Sequence, residues 1–130
     1  MGKKTCEQIM SNVVIVEDEA ILALDLIEMC EALGCRVLGV AASAPQAKER
    51  FAGVCPEILI TDMDLADRST GVQVVEMLRR RCPDIRVIFV TASTCPKKLE
   101  LIRRAEPECV LSKPLNFSQL DAALRSVAAA

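Results

Sequence analysis

Acidic, hydroxyl and amino side chains follow short apolar runs at four points in the sequence, and they are the best candidates for chemistry. Glu17 and Asp18 follow the run VVIV, and Asp62 follows the run ILIT. Thr91 closes the run VIFVT, and Lys113 follows CVLS. Carboxylates repel one another and are costly to bury without a partner. We therefore expect these acids to be either solvated or matched by positive charge.

Phosphoryl transfer is the chemistry that this set of side chains favours. Several carboxylates beside a single lysine leave an excess of negative charge, which a hard divalent cation would balance. Mg²⁺ prefers oxygen ligands, and the set offers no softer ligand that would favour zinc or copper. A carboxylate can act as a nucleophile and form an acyl phosphate, while a metal ion and a lysine neutralise charge on the phosphoryl oxygens. The sequence has no glycine-rich phosphate loop, so a nucleotide is not expected as the donor.

The apolar runs themselves predict buried β-strands. They are rich in Val and Ile and do not alternate with polar residues, which is typical of parallel strands covered on both faces. Segments with a helical period separate them. This alternation predicts a doubly wound α/β domain, in which ligands bind beyond the carboxyl ends of the strands. The predicted strands are 13–16, 36–41, 57–61, 85–90 and 109–111.

Capping residues and apolar stripes predict the helices between these strands. Gly34 is expected to end the first helix. Asn116 and Gln119 have the spacing of a capping box, and SAPQ at 43–46 has the same form. A short helix is expected after Pro96. The apolar stripes lie within 23–33, 74–82 and 117–127.

Composition excludes several classes of protein and of site. No apolar run approaches the roughly 20 residues of a membrane-spanning helix, and the first residues lack the apolar segment of a signal peptide. A cytoplasmic protein is therefore expected. The chain has seven cysteines, none in a Cys-x-x-Cys spacing, and no histidine, which argues against a zinc site. We expect the cysteines to be small buried apolar side chains in a reducing compartment, with a redox role as the alternative.

The strand ends carry a family resemblance. With its motifs VIVEDEA, LITDMDL, VTAS and LSKPL in this order, the chain resembles the receiver (CheY-like) domain of two-component response regulators from about Asn12 to Val127. The resemblance implies a flavodoxin-like, doubly wound sheet of five parallel strands in the order 2-1-3-4-5, with five helices. It implies a single receiver domain over residues 12–130, preceded by an N-terminal extension over residues 1–11.

The resemblance also implies a role for each acid. Asp62 would accept a phosphoryl group from a phosphohistidine on a sensor histidine kinase or a histidine phosphotransfer protein. Glu17, Asp18 and Asp62 would hold Mg²⁺, together with the backbone carbonyl of Asp64. Glu19 is expected to begin the first helix, where an acid suits the helix dipole. The domain would not be an enzyme beyond, at most, weak self-phosphorylation and self-dephosphorylation.

The remaining site residues would sense the phosphoryl group. Lys113 would pair with it, and in this family the bond before Pro114 is usually cis. Thr91 would turn inward to bond it and carry the signal to a protein-binding surface on the fourth helix, fifth strand and fifth helix. Nucleic acid and membrane are not expected as partners of this domain. Lysines and arginines on the fourth helix would favour an acidic protein partner there, namely Lys97, Lys98, Arg103 and Arg104.

Two positions depart from the family pattern. Val110 stands where many receivers have an aromatic residue that moves with the threonine. Asp64 is an acid where a neutral residue is more usual, and we hypothesise that it changes the lifetime of the phosphoryl group. Comparing phosphoryl decay in the wild type and in Asp64→Asn tests this hypothesis, and equal rates would remove it.

Three alternatives remain open from the sequence. The chain could be the receiver fragment of a larger regulator or of a hybrid histidine kinase. It could be an aspartyl-phosphate phosphatase on a similar fold, because such enzymes carry an acid–base residue two positions after the nucleophile, as Asp64 follows Asp62. It could also be a degenerate receiver that serves only as a binding scaffold.

Overall fold

A computed structural model describes residues 7–129 of the chain. Five parallel strands form one sheet in the order β2-β1-β3-β4-β5, and five α-helices connect or follow them. This arrangement confirms the predicted doubly wound fold. Residues 1–6 of the predicted N-terminal extension, and Ala130, lie outside the described residues. The strands are β1 Asn12–Val16, β2 Arg36–Ala41, β3 Ile58–Thr61, β4 Arg86–Thr91 and β5 Cys109–Ser112; the helices are α1 Ala20–Ala32, α2 Ala44–Arg50, α3 Gly71–Arg81, α4 Pro96–Arg104 and α5 Phe117–Ala129.

Both faces of the sheet are covered, which explains why the strand sequences do not alternate. Successive residues of a strand point to opposite faces. Val14 and Leu59 pack with α2, α3 and α4, whereas Ile15 and Ile60 pack with α1 and α5. All four are fully buried. Burying a side chain of this size contributes about 1.5–3 kcal/mol to the free energy of folding. Burial on both faces of the sheet is therefore a major source of stability.

The helix ends follow the predicted capping signals in part. Asn116 and Gln119 form the predicted reciprocal box at the start of α5. Ser43 accepts from the backbone N–H of Gln46, but the Gln46 side chain accepts from the N–H of Ala42, one residue earlier than a box requires. A second reciprocal box, from Thr70 to Gln73, begins α3. The capping signals read from the sequence did not include it. Among the described residues no helix is both long and apolar enough to cross a membrane.

A disulfide joins Cys55 to Cys82, 27 residues apart. The prediction that the cysteines are reduced is therefore wrong for this pair, whereas Cys30 and Cys35 are buried free thiols as expected. No short motif marks the pair, because it forms only when the loop before β3 meets the end of α3. The bond closes a loop that contains β3, Asp62 and α3, at the end of the sheet opposite the carboxyl ends of the strands.

Gly71 is the point where α3 meets the end of β3. Its N–H donates to the carbonyl of Met63 at 2.9 Å. A methyl group on its Cα would lie 2.2 Å from the carbonyl oxygen of Asp62 and 2.8 Å from the ring of Phe89. Only glycine therefore lets the helix start this close to the backbone of Asp62.

Gly71→Ala is expected to lower the free energy of unfolding by at least about 2 kcal/mol, because the new methyl group meets fixed backbone and must displace it. Gly53→Ala is the matched control. Gly53 has a φ of +77° and open space around it, so its substitution should cost only the left-handed strain of about 1 kcal/mol. Urea denaturation of both variants measures the difference, and equal losses would contradict the close-approach argument.

Breaking the disulfide is expected to lower the free energy of unfolding by roughly 3–4 kcal/mol, because the crosslink restricts the unfolded chain. Cys82→Ser tests this, with Cys95→Ser as the control, since Cys95 is an exposed free thiol. Thiol alkylation of the denatured protein should label two more cysteines after reduction than before it. Equal labelling would show that the bond is absent.

Candidate functional site

The carboxyl ends of β1 and β3 bring Glu17 and Asp62 together. The two strands are neighbours, and Val16 pairs with Thr61, so the residue after each strand reaches the same point of the sheet edge. Glu17 is 3% exposed and Asp62 is 8% exposed. Oxygen atoms of Glu17, Asp18 and Asp62 lie within 4.8 Å of one another. The predicted acids therefore form one cluster, with Asp18 on its exposed side.

Lys113 bridges the two buried carboxylates of this cluster. Its Nζ donates to Glu17 Oε1 at 2.8 Å and to Asp62 Oδ2 at 2.8 Å. The backbone N–H of Lys113 donates to the carbonyl of Thr91, which fixes it at the end of β5 beside β4. The bond between Lys113 and Pro114 is cis, as the resemblance implies. The ammonium thus supplies the positive charge that two neighbouring carboxylates need.

The pKa values of this group follow from burial and from the bridge. Burial raises the pKa of the Glu17 carboxyl, and this effect outweighs the lowering effect of Lys113. Burial alone would lower the pKa of Lys113, but its hydrogen bonds to Asp62 and Glu17 outweigh burial and raise it. Lys113 therefore stays protonated at neutral pH, and Glu17 binds a proton more readily than an exposed glutamate.

The backbone around Asp62 fixes the direction of its carboxylate. Asp62 Oδ1 accepts from the N–H of Met63 at 2.6 Å, while Oδ2 accepts from Lys113. The hydroxyl of Thr61 donates to the Asp62 carbonyl at 2.8 Å. Each carboxylate oxygen thus has one donor, so the side chain is held in a single orientation at the edge of the sheet.

Thr91 and Glu19 lie beside the cluster in supporting positions. Thr91 is 4% exposed at the end of β4, and its Oγ1 accepts from the N–H of Ser93 at 3.1 Å. Glu19 is the N-cap residue of α1, and its side chain makes no capping bond. Its N–H instead donates to Glu17 Oε2. The start of α1 therefore orients Glu17 through the backbone.

Asp64 directs its side chain to α4. Its Oδ1 lies 2.9 Å from Nζ of Lys98, and its backbone pairs with Thr70 in an isolated antiparallel bridge. The sequence prediction had placed Lys98 on a partner surface and missed this contact. Two charged residues 34 positions apart carry no local signal, so no pattern in the sequence could have revealed the pair.

The predicted partner surface is less basic than its sequence suggests. Arg103 and Arg104 both pair with Glu100, and Lys98 pairs with Asp64. Within residues 7–129, Lys97 makes no ion pair. Large apolar side chains are also exposed on these elements, at Leu99 and Leu101 of α4, Val110 of β5 and Phe117 of α5.

The acidic cluster has the chemistry of a site for a hard cation. Glu17, Asp18 and Asp62 offer only carboxylate oxygens, and these oxygens lie close enough to share one ion. Oxygen ligands suit Mg²⁺ rather than a softer metal. The residues present therefore fit the metal that the resemblance implies. The role of the Asp64 carbonyl as a further ligand stays a prediction.

Two curated relatives are similar to this chain in sequence. The chain is 31% identical over 124 residues to the phyllosphere-induced regulator PhyR of Methylorubrum extorquens. The matched region covers 95% of this chain and 45% of that protein. It is 30% identical over 109 residues to the transcriptional regulatory protein PdtaR of Mycobacterium tuberculosis, which covers 84% of this chain and 52% of that protein. The chain thus spans about half the length of the curated relatives it matches.

A solved structure and a family match agree with these relatives. The solution NMR structure of the PhyR response regulator REC domain of Erythrobacter litoralis has a TM-score of 0.81 and 33% identity, and it covers 91% of this chain and 89% of that one. The response regulator receiver domain family matches residues 13–125. The chain therefore belongs to the response regulator receiver domains, the family that serves two-component signalling.

Proposed function

We propose that Asp62 is the phosphoacceptor of a two-component phosphorelay, and that its phosphorylation switches a protein-binding surface. The observation that carries this proposal is the bridge from Lys113 to Glu17 and Asp62. It places one ammonium against a nearly buried carboxylate whose other oxygen is held by a backbone N–H. That arrangement suits a nucleophile whose product carries more negative charge than the nucleophile itself.

The transfer is a substitution at phosphorus. A carboxylate oxygen of Asp62 forms the new P–O bond while the P–N bond of the donor phosphohistidine breaks. The electron pair of that bond leaves with the imidazole nitrogen. Lys113, freed from part of its bridge, then pairs with a phosphoryl oxygen. Its raised pKa keeps it charged for this role.

Glu17, Asp18 and Asp62 would hold the Mg²⁺ of this site, with the Asp64 carbonyl as a further ligand. When bound, Mg²⁺ neutralises charge on the phosphoryl oxygens and on the carboxylates around it. The phosphoryl donor would be a sensor histidine kinase or a histidine phosphotransfer protein. The magnesium assignment rests on the family and on the oxygen-only cluster, and the donor assignment rests on the family.

The signal would leave the site through Thr91. Its hydroxyl now accepts from Ser93 at the start of the loop that leads to α4. Turning to the phosphoryl group would give up this bond and move that loop. Val110 of β5 and Phe117 at the start of α5 are exposed and would meet the protein partner. Val110 replaces the usual aromatic, so the switch would act through the α4 loop more than through β5.

The rival function, an aspartyl-phosphate phosphatase, needs Asp64 as an acid–base group. Its carboxylate pairs with Lys98 instead, which disfavours that role in the resting protein. The alternative of a receiver fragment of a larger regulator is compatible with the same chemistry, because it changes only what the domain controls.

Phosphorylation of Asp62 is tested by intact mass after incubation with acetyl phosphate and Mg²⁺. The wild type should gain one phosphoryl group, and the gain should require Mg²⁺. Asp62→Ala should gain none, whereas Asp84→Ala, an exposed acid at the other end of the sheet, should behave as the wild type. If the wild type takes up nothing from acetyl phosphate or from a phosphohistidine donor, the proposal fails and the binding-scaffold alternative leads.

Removing the ion pairs from Lys113 to Glu17 and Asp62 should make the melting temperature depend more strongly on Mg²⁺. Lys113→Ala leaves the Glu17 and Asp62 carboxylates without their shared donor, so we expect a loss of about 1–3 kcal/mol without metal. Mg²⁺ should then raise the melting temperature of this variant more than that of the wild type. Lys97→Ala is the control, because Lys97 is exposed and makes no ion pair with any residue of 7–129. Equal Mg²⁺ responses in all three proteins would contradict the shared site.

A further inference from the structure

An ion pair joins the loop after β3 to the first turn of α4, beside the proposed phosphorylation site. Lys98 lies in the first turns of α4, and its Nζ is 2.9 Å from Asp64 Oδ1. Asp64 follows Asp62 by two residues, and the backbone bridge to Thr70 holds it in place. The hydrogen bond to Asp64 raises the pKa of Lys98, and the charge of Asp62 adds a smaller effect. Lys98 therefore connects α4 to the residue two positions after Asp62.

We infer that Lys98 is a positioning residue that sets the lifetime of the phosphoryl group by holding the Asp64 carboxylate away from Asp62. The inference rests on the proposed phosphorylation of Asp62. Asp64 stands at the spacing from which a carboxylate can serve as a base for water. While it is paired with Lys98, its lone pairs and negative charge are directed to α4.

Release of Asp64 would allow hydrolysis of the acyl phosphate. Asp64 would take a proton from a water molecule as the water oxygen forms a bond to phosphorus. The P–O bond to Asp62 would break, and its electron pair would return to the Asp62 carboxylate. Asp64 would then pass its proton to the released phosphate or to solvent and become a carboxylate again. The products would be inorganic phosphate and the resting protein, so atoms and charges balance without any further reactant.

The position of the pair suits regulation of this step. The side chains of Lys98 and Asp64 are 44% and 57% exposed, and exposed ion pairs are weak and open readily. The helix that carries Lys98 buries only Ile102 along its length, so little else fixes the first turns of α4. A partner that binds α4 would move Lys98, and it would thereby change how often Asp64 is free.

The test measures the half-life of the phosphoryl group on Asp62. The protein is first phosphorylated with acetyl phosphate and Mg²⁺, and the acetyl phosphate is then removed. We expect Lys98→Ala to shorten this half-life about tenfold. A positioned general base accelerates a reaction about a hundredfold or more, but a freed Asp64 samples many positions and should therefore have a smaller effect. Lys98→Arg should restore the wild-type half-life. Lys97→Ala, which removes the same charge one residue away, should leave it unchanged.

The double variant decides the mechanism. Adding Asp64→Asn to Lys98→Ala should return the half-life to the wild-type value or beyond it, because the base is then absent. Asp64→Asn alone should lengthen it, since the exposed pair opens part of the time in the wild type. An unchanged half-life in Lys98→Ala, or a double variant as short-lived as Lys98→Ala, would overturn the inference.

A second measurement separates this inference from the proposed function. The N–H of Leu99 donates to Cys95 in the first turn of α4, so its hydrogen exchange reports how firmly that turn is held. In the resting protein, Lys98→Ala and Asp64→Asn should both speed this exchange, and Lys97→Ala should not. Unchanged exchange would show that the pair is absent in solution and would overturn the inference. Failure of the wild type to take up phosphoryl groups would contradict the proposed function, while the exchange result would still decide whether Lys98 holds Asp64.

Discussion

Two carboxylates that must lie close together at a nearly buried sheet edge are the constraint around which this domain is organised. Glu17 and Asp62 are only 3% and 8% exposed, so water cannot screen their repulsion as it would on a surface. The ammonium of Lys113 reaches both of them. Lys113 therefore neutralises only part of the negative charge of the acidic cluster. The negative charge that remains can attract a cation.

The order of the strands is what makes this neutralisation possible. β1 and β3 are adjacent in the sheet although α1, β2 and α2 separate them in sequence. Lys113 comes from the edge strand β5 and must cross the end of β4 to reach the acids. Its backbone bond to Thr91 holds it on that path. Thr91 thus supports the lysine through its carbonyl while its hydroxyl engages the loop toward α4.

The two ends of the sheet are stabilised in different ways. At the carboxyl ends of the strands, the contacts are ion pairs and hydrogen bonds that can exchange partners. At the opposite end, the disulfide from Cys55 to Cys82 and two hydrogen bonds from Arg81, to the carbonyls of Phe51 and Val54, close the structure. The contacts at the carboxyl ends of the strands can exchange partners, whereas the opposite end is crosslinked. This difference is consistent with a domain that signals through small movements at one edge of the sheet.

The sequence alone determined the class of fold and the main acids of the site. Unbroken runs rich in Val and Ile indicate strands that are buried on both faces. Helix caps such as Asn116 and Gln119 depend on residues three positions apart, so the strands and these caps can be predicted from neighbouring residues. Polar residues that follow such runs necessarily meet at one edge of a parallel sheet, which is why Glu17, Asp62 and Lys113 could be grouped in advance.

Only the tertiary structure decided which charges pair and which thiols bond. Lys98 was expected on a partner surface and instead holds Asp64, and Cys82 was expected as a free thiol and instead bonds to Cys55. Each of these contacts depends on how a helix lies on the sheet, and helix placement is set by core packing rather than by the residues that meet. The close approach of Gly71 to Asp62 has the same origin. Local patterns therefore predicted which residues gather at the sheet edge, and long-range packing determined the partners of Asp64 and Cys82.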